Sequence, residues 1–268
     1  MRLVLAAILL SVIASGCLGG HQKTRNPPLA DPCDLLPGCL PVNALNVTMS
    51  GCTGYQSGID TPKGVFRPEL PSGIQATNDA IHFSRFENWI CKQALVGGQV
   101  VQNFEYAKFE TSIRNPDPTE KNSTFRLFVF EWYSNSPAFV ALAASHGLSV
   151  ALVQNVSVKT TDLGQSFKIA EYSYPPGSSL YTVQQQLNDP GGVPEKLREA
   201  YYYLNGTHLA RAHMSLAGKW DSGNEGLISF GPETYWARHS DVTKHETLSN
   251  FRTEQTISLS FDAAFESG

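Results

Sequence analysis

Phe125-Arg126-Leu127-Phe128-Val129-Phe130-Glu131-Trp132-Tyr133 is the most strand-like passage of the chain. Aromatic and β-branched residues fit a pleated, half-buried surface, and here they fill all but three of the nine positions. Asn135-Ser136-Pro137 follows at once, with a capping side chain and a proline suited to the first turn of a helix. Phe139, Val140, Leu142 and Ala143 give that helix an apolar face, and Gly147 ends it.

Outward from this centre, the same strand character recurs on both sides. Asn46 to Ile59, Ile81 to Leu95, Val100 to Ile113, Val150 to Val158 and Phe167 to Tyr174 read as strands. So do Leu209 to Leu216, Gly226 to Phe230, Thr234 to Ala237 and Thr256 to Phe261. Val65 to Ile74 predicts a helical turn, and Pro194 to Tyr203 (PEKLREAYYY) predicts a short helix. The expected fold class is mainly β (β-rich α+β), a single curved sheet or barrel with a few short helices, because closure hides so many strand edges.

The first residues predict export. Arg2 precedes an uncharged run, Leu3 to Ala14, and then Ala14-Ser15-Gly16 supplies the small residues a signal peptidase fits. The run is too short to span a bilayer stably. Residues 1–16 therefore read as a signal peptide. Ile13-Ala14-Ser15-Gly16-Cys17 resembles the lipobox of prokaryotic lipoproteins, with Ala14 where leucine is preferred, so Cys17 is expected to carry lipid. Plain secretion is the alternative. Residues 17–45, rich in Pro and lacking a hydrophobic period, read as a tether, and 46–268 as one domain. The expected place is the cell surface or the extracytoplasmic face of the membrane.

Composition excludes one class of partner. Charged residues make up 16% and the net charge is −4, or −5 once Arg2 leaves with the signal, so no basic face serves nucleic acid. Without Cys17, four cysteines remain, Cys33, Cys39, Cys52 and Cys91, an even count that suits two disulfides. Cys33 with Cys39 and Cys52 with Cys91 is the preferred of three pairings. A metal site is not expected, because no tight Cys or His spacing occurs. Asn46, Asn122, Asn155 and Asn205 sit in glycosylation sequons.

Two segments are similar to the acetoacetate decarboxylase-like superfamily. Gly54 to Gly73 leads through Pro62 and Val65 to Leu70-Pro71-Ser72-Gly73. Phe128 to Val150 runs from a strand through Ser134-Asn135-Ser136-Pro137 and a helix to His146-Gly147-Leu148. The resemblance implies a barrel with an apolar cavity. It also implies a Schiff-base lysine beside a second lysine, and here the sequence departs: there is no Lys-Lys pair, and Lys92, Lys108 and Lys121 each stand alone.

Chemistry-bearing candidates are few. Arg211, His213 and Ser215 alternate along one strand and so share a face, either lining a cavity or meeting solvent. Glu110, Glu131 and Arg126 lie in or beside aromatic strands, where Glu131 is useful as an acid if buried, or else faces solvent or pairs with Arg126. His239 and His245 belong to a polar loop. No nucleophile elbow, phosphate loop, dinucleotide fingerprint or zinc-protease motif occurs, and no cofactor is expected. The sequence-based expectation is a ligand-binding domain for a small, partly apolar or carbonyl molecule, acting without catalysis. The alternatives are a lyase using an unplaced lysine or acid–base pair, and a structural or adhesive surface protein.

Overall fold

The computed structural model describes residues 46–78, 80–162, 167–174, 180–188 and 192–262. The signal segment, Cys17, the tether and the Cys33 and Cys39 pairing lie outside them. Seven strands close a barrel in the order β11-β1-β2-β3-β4-β9-β10, with β10 returning to β11. They are β1 (Asn46–Pro62), β2 (Ile81–Val96), β3 (Gln99–Ser112), β4 (Phe125–Ser134), β9 (Val193–Asn205), β10 (His208–Phe230) and β11 (Lys244–Phe261). All neighbours are antiparallel except β4 and β9, which run parallel. β5 (Ala151–Leu152) adds briefly to β4.

β10 is longer than the barrel requires. Its first half pairs with β9 and its second half with β8 (Tyr181–Asn188), which continues into β7 (Phe167–Tyr174) and β6 (Ser157–Asp162). This extension covers the outside of the barrel, where Phe86 stacks on Tyr181 at 4.1 Å between ring centroids. Phe109, Phe66, Phe230 and Trp236 complete that outer core. β2 from Ser84 to Trp89 and β3 from Phe104 to Thr111 are therefore buried on both faces.

Inside, the barrel has two layers. The lower layer is apolar: Val47, Met49, Ala212, Met214, Ile257 and Leu259 point inward, and helix α1 (Pro137–Ser145) presses Phe139 against Phe104 and Trp132. Ser136 caps α1 by accepting from the Phe139 N–H at 3.2 Å. Gly54 is needed here, since a Cβ at that position would lie 2.5 Å from the Trp89 ring. The upper layer is charged.

The expected helix over Pro194 to Tyr203 is instead strand β9. Its residues have helix propensity, but tertiary pairing to β4 and β10 outweighs a preference worth tenths of a kcal/mol per residue. Conversely, Thr234 to Ala237, expected as a strand, begins α2 (Tyr235–His239), capped by the Thr234 hydroxyl. Val65 to Ile74 forms turns rather than a helical turn. Cys52 and Cys91 are bonded, as their direct cross-strand pairing on β1 and β2 allows.

Candidate functional site

The charged layer arises from strand register. Arg85 of β2 lies opposite Glu110 of β3, and Glu87 lies opposite Lys108. Residues two apart on a strand share a face, so all four point into the barrel. Glu199 and Tyr201 enter from β9, Gln56 from β1, and Arg252 from β11. Lys108, Glu87, Glu110 and Glu199 are wholly buried.

The contacts form one network. Arg85 makes a two-pronged pair with Glu199, both N–H···O distances being 2.8 Å, and donates through Nε to Glu110. Lys108 Nζ donates to Glu87 and lies 3.0 Å from Glu110 Oε2, with the Tyr201 ring 4.2 Å beneath it. Tyr201 donates to Glu199 and Gln56 to Glu87. Arg252 donates to Glu195 and lies 4.0 Å from Glu87.

These carboxylates do not behave alike. Burial pushes Glu87 up, yet Arg85, Lys108 and Arg252 outweigh it and hold its carboxyl well below the usual range. Burial likewise opposes Arg85 at Glu199, and the guanidinium pair wins. At Glu110, burial joined by repulsion from Glu87 and Glu199 prevails over Arg85 and Lys108, and its carboxyl is raised. Burial also raises Tyr106 and Tyr201, which stay phenolic. A carboxyl disposed to keep its proton thus stands beside an amine, with a guanidinium next to both. A carboxyl that holds its proton can act as a general acid toward a group placed beside it.

The site residues expected from sequence sit elsewhere. Arg211, His213 and Ser215 do share a face, but it is the outside of the barrel, since Ala212 and Met214 between them point in. Ser215 is exposed. His213 is covered by the 114–124 loop, its ring nitrogens facing Glu120 and, at 3.3 Å, Asp262. Arg211 pairs with Asp117 and Asp262. Burial pushes these three carboxylates up, but hydrogen bonds prevail, from Thr119 at Asp117, His213 at Glu120, and His213 and Arg211 at Asp262. All three titrate low. This outer cluster clamps a loop and the end of β11 to the barrel wall.

Glu131 does not pair with Arg126. It accepts from the Tyr181 hydroxyl and the Tyr235 N–H (2.6 Å) and lies 3.4 Å from Arg238, fixing α2 and β8 to the barrel exterior. Arg126 donates to the Glu120 carbonyl at 3.0 Å. Asn122, Asn155 and Asn205 are exposed. Among the described residues, no group of three or more His, Cys, Asp or Glu is placed to hold a metal.

Of the interior set, only Glu110 stood out in the sequence, and Lys108 only as an isolated lysine. The available signal was paired: Arg85-x-Glu87 and Lys108-x-Glu110 carry opposite charges in the order an antiparallel hairpin brings face to face.

No family model matches the sequence, and no curated protein does. Among solved structures, the chain is similar to an acetoacetate decarboxylase from Legionella pneumophila subsp. pneumophila str. Philadelphia 1. The identity is 10%, with 91% of this chain and 99% of that chain covered, at a TM-score of 0.48. An acetoacetate decarboxylase-like enzyme from Sphingomonas wittichii RW1 matches at 10% identity over 83% and 94% of the two chains, TM-score 0.49. The enduracididine biosynthesis enzyme MppR matches at 8% over 84% and 88%, TM-score 0.48. At these values the roles of individual residues rest on this chain's own geometry.

Proposed function

We propose that the barrel interior binds a small carbonyl compound and that Lys108 is its reactive amine, which makes the protein a lyase-type enzyme of imine chemistry. The observation that carries this is the burial of Lys108 among Glu87, Glu110 and Arg85 in a barrel that fills its lower half with apolar side chains. Packing alone does not call for the charges: replacing a buried ion pair by apolar residues is often neutral or stabilising by ~1–4 kcal/mol. Clusters of buried, mutually perturbed groups are characteristic of sites that do chemistry. In this reading Lys108 attacks the carbonyl carbon, Glu110 supplies a proton to the departing oxygen, and Arg85 orients the polar end.

Borohydride reduction in the presence of carbonyl compounds tests it. A stable adduct on the Lys108 peptide, lost in Lys108→Met, is the expected result. Labelling confined to exposed lysines such as Lys196 overturns it.

A second reading, ligand binding without chemistry, is favoured by the contacts Lys108 already makes with two carboxylates and an aromatic ring. It gives a ligand-dependent rise in melting temperature with no covalent adduct. In either case the N-terminal sequence supports export and anchoring through Cys17 at a membrane surface, where the domain meets its ligand outside the cytoplasm.

A further inference from the structure

Three side chains ring the upper mouth of the barrel, above the charged layer. Phe83 lies two residues before Arg85 on the same inward face, and its ring passes over Gly58, where a Cβ would come within 3.0 Å of it. Phe125 of β4 is the lateral neighbour of Glu199 on β9, and therefore faces inward as Glu199 does. Val193 shares its face with Glu195. All three are apolar yet exposed, at 37%, 43% and 64%. A molecule entering by this end meets hydrocarbon first and charge second.

The charge it meets is already counted out. Arg85, Lys108 and Arg252 face four carboxylates, Glu87, Glu110, Glu195 and Glu199. Arg85 is held on both sides by Glu199 and Glu110, and Arg252 is held by Glu195. With Glu110 disposed to keep its proton, Glu87, Glu195 and Glu199 already match the three cations, and a carboxylate on the ligand would be left uncompensated in a solvent-excluded space, where such a charge costs several kcal/mol.

Resting on the Lys108 reading above, we infer that the substrate class is a neutral aldehyde or ketone with an apolar body, and not an oxo acid. The stoichiometry agrees. A protonated amine and a neutral carbonyl give an iminium ion and water: the C–N bond forms and the C–O bonds break. The water takes its oxygen from the carbonyl and, in sum, both hydrogens from nitrogen, one of them passing by way of Glu110, which ends the step protonated as it began. One positive charge is present before and after, so the balance of the network is unchanged. An oxo acid reacting in the same way leaves its carboxylate behind in the barrel. The hydrocarbon body rests against Phe83, Phe125 and Val193, and the carbonyl end reaches inward past Arg85.

The test uses the whole protein with cyanoborohydride and matched probes, 2-heptanone and 2-oxoheptanoate, with acetone as the short reference. The readout is the mass adduct on the Lys108 peptide, normalised to exposed Lys196. The expected result is that 2-heptanone labels Lys108 at least tenfold faster than 2-oxoheptanoate. Labelling should also rise up to about fourfold per methylene over the first added carbons from acetone, the worth of burying a methylene. Val193→Asp, a change at an exposed position, should lower labelling by 2-heptanone about fourfold, the worth of one methylene's burial, and leave acetone unchanged. Faster labelling by the oxo acid overturns the inference while the lysine reading stands. Equal labelling by both ketones, or an indifferent Val193→Asp, overturns the apolar rim. No adduct on Lys108 with any probe removes the lysine reading, and the inference with it.

Discussion

Replacing Lys108 by methionine keeps most of the side chain's length and removes its charge. The side chains of Lys108, Glu87 and Glu110 are all wholly excluded from solvent, so no water is at hand to take over the lost contacts. Breaking a buried pair by deleting one partner costs about 3–5 kcal/mol, most of it the stranded charge on the other side. For a domain of this size each kcal/mol moves the melting temperature by about 2–4 °C, so the expected drop at pH 7 is on the order of 10 °C. The loss should depend on pH. Without the ammonium, Glu110, already raised by burial, binds its proton more tightly still in the folded state, and Glu87 loses part of what holds it low. A carboxyl raised in this way costs stability above its folded value and costs nothing below its unfolded one. The deficit is therefore largest near pH 8 and narrows toward pH 4. Adding Glu87→Gln removes one stranded charge and should restore more than half of the loss at pH 7. Urea or thermal unfolding followed by tryptophan fluorescence reports all of this, since Trp89 lies in the barrel beside the network. A Lys108→Met protein melting within about 2 °C of the parent at pH 7 and pH 8 would mean that the network is solvated, and the physical basis of the site would be gone.

Four further outcomes are expected. Replacing Cys52 and Cys91 together by alanine should cost up to about 4 kcal/mol, the chain-entropy value for a cross-link 39 residues apart, read from the urea midpoint. Asp117, Glu120 and Asp262 titrate low in the folded state, so the stability they contribute is fully present above the ordinary carboxylate range and is lost as pH falls through their folded values. Hydrogen exchange between pH 5 and pH 3 should show the 114–124 loop and the end of β11 loosening together, and Glu120→Gln should weaken that pH dependence. Ser136→Ala removes the cap of α1 and should cost about 1 kcal/mol by thermal unfolding, with Thr as a tolerated replacement. Mass spectrometry of the protein from a membrane fraction should find the chain beginning at an acylated Cys17, and an intact Met1 would refute the export reading.

The barrel was legible because its evidence is local. FRLFVFEWY is a strand by composition, the Ser136-Pro137 start of α1 is capping chemistry, and both are where they were expected. The Cys52–Cys91 bond was the preferred of the three pairings that the cysteine count left open. β9 was missed because Glu195, Lys196, Leu197, Arg198, Glu199 and Ala200 favour a helix when read alone, and only the strands on either side hold them extended. His213 and Arg211 were placed on one face, which is the outward one, and the loop residues that cover it, Glu120 and Asp117, lie 93 and 94 residues earlier in the chain.

The charged interior was hidden for a more general reason. Alternation on a strand is ordinarily read as apolar residues inward and polar residues to solvent. In β2 and β3 the alternation is present, but its sense is reversed: Phe86 and Phe109 point outward, and Arg85, Glu87, Lys108 and Glu110 point inward. The reversal is stable only because β8, with α2, lies over the outer face and buries the phenylalanines against Tyr181, Phe230 and Trp236. That cover depends on the second half of β10 running past the barrel to pair with β8, a contact no local pattern announces. Outer burial and inner charge are thus one arrangement. Moving either strand by one residue would put phenylalanine into the charged layer and carry that strand's two polar side chains under the outer sheet, each left without its partners. The register that places Lys108 between Glu87 and Glu110 is therefore held by the hydrophobic outer core, and the site takes its precision from side chains that never touch it.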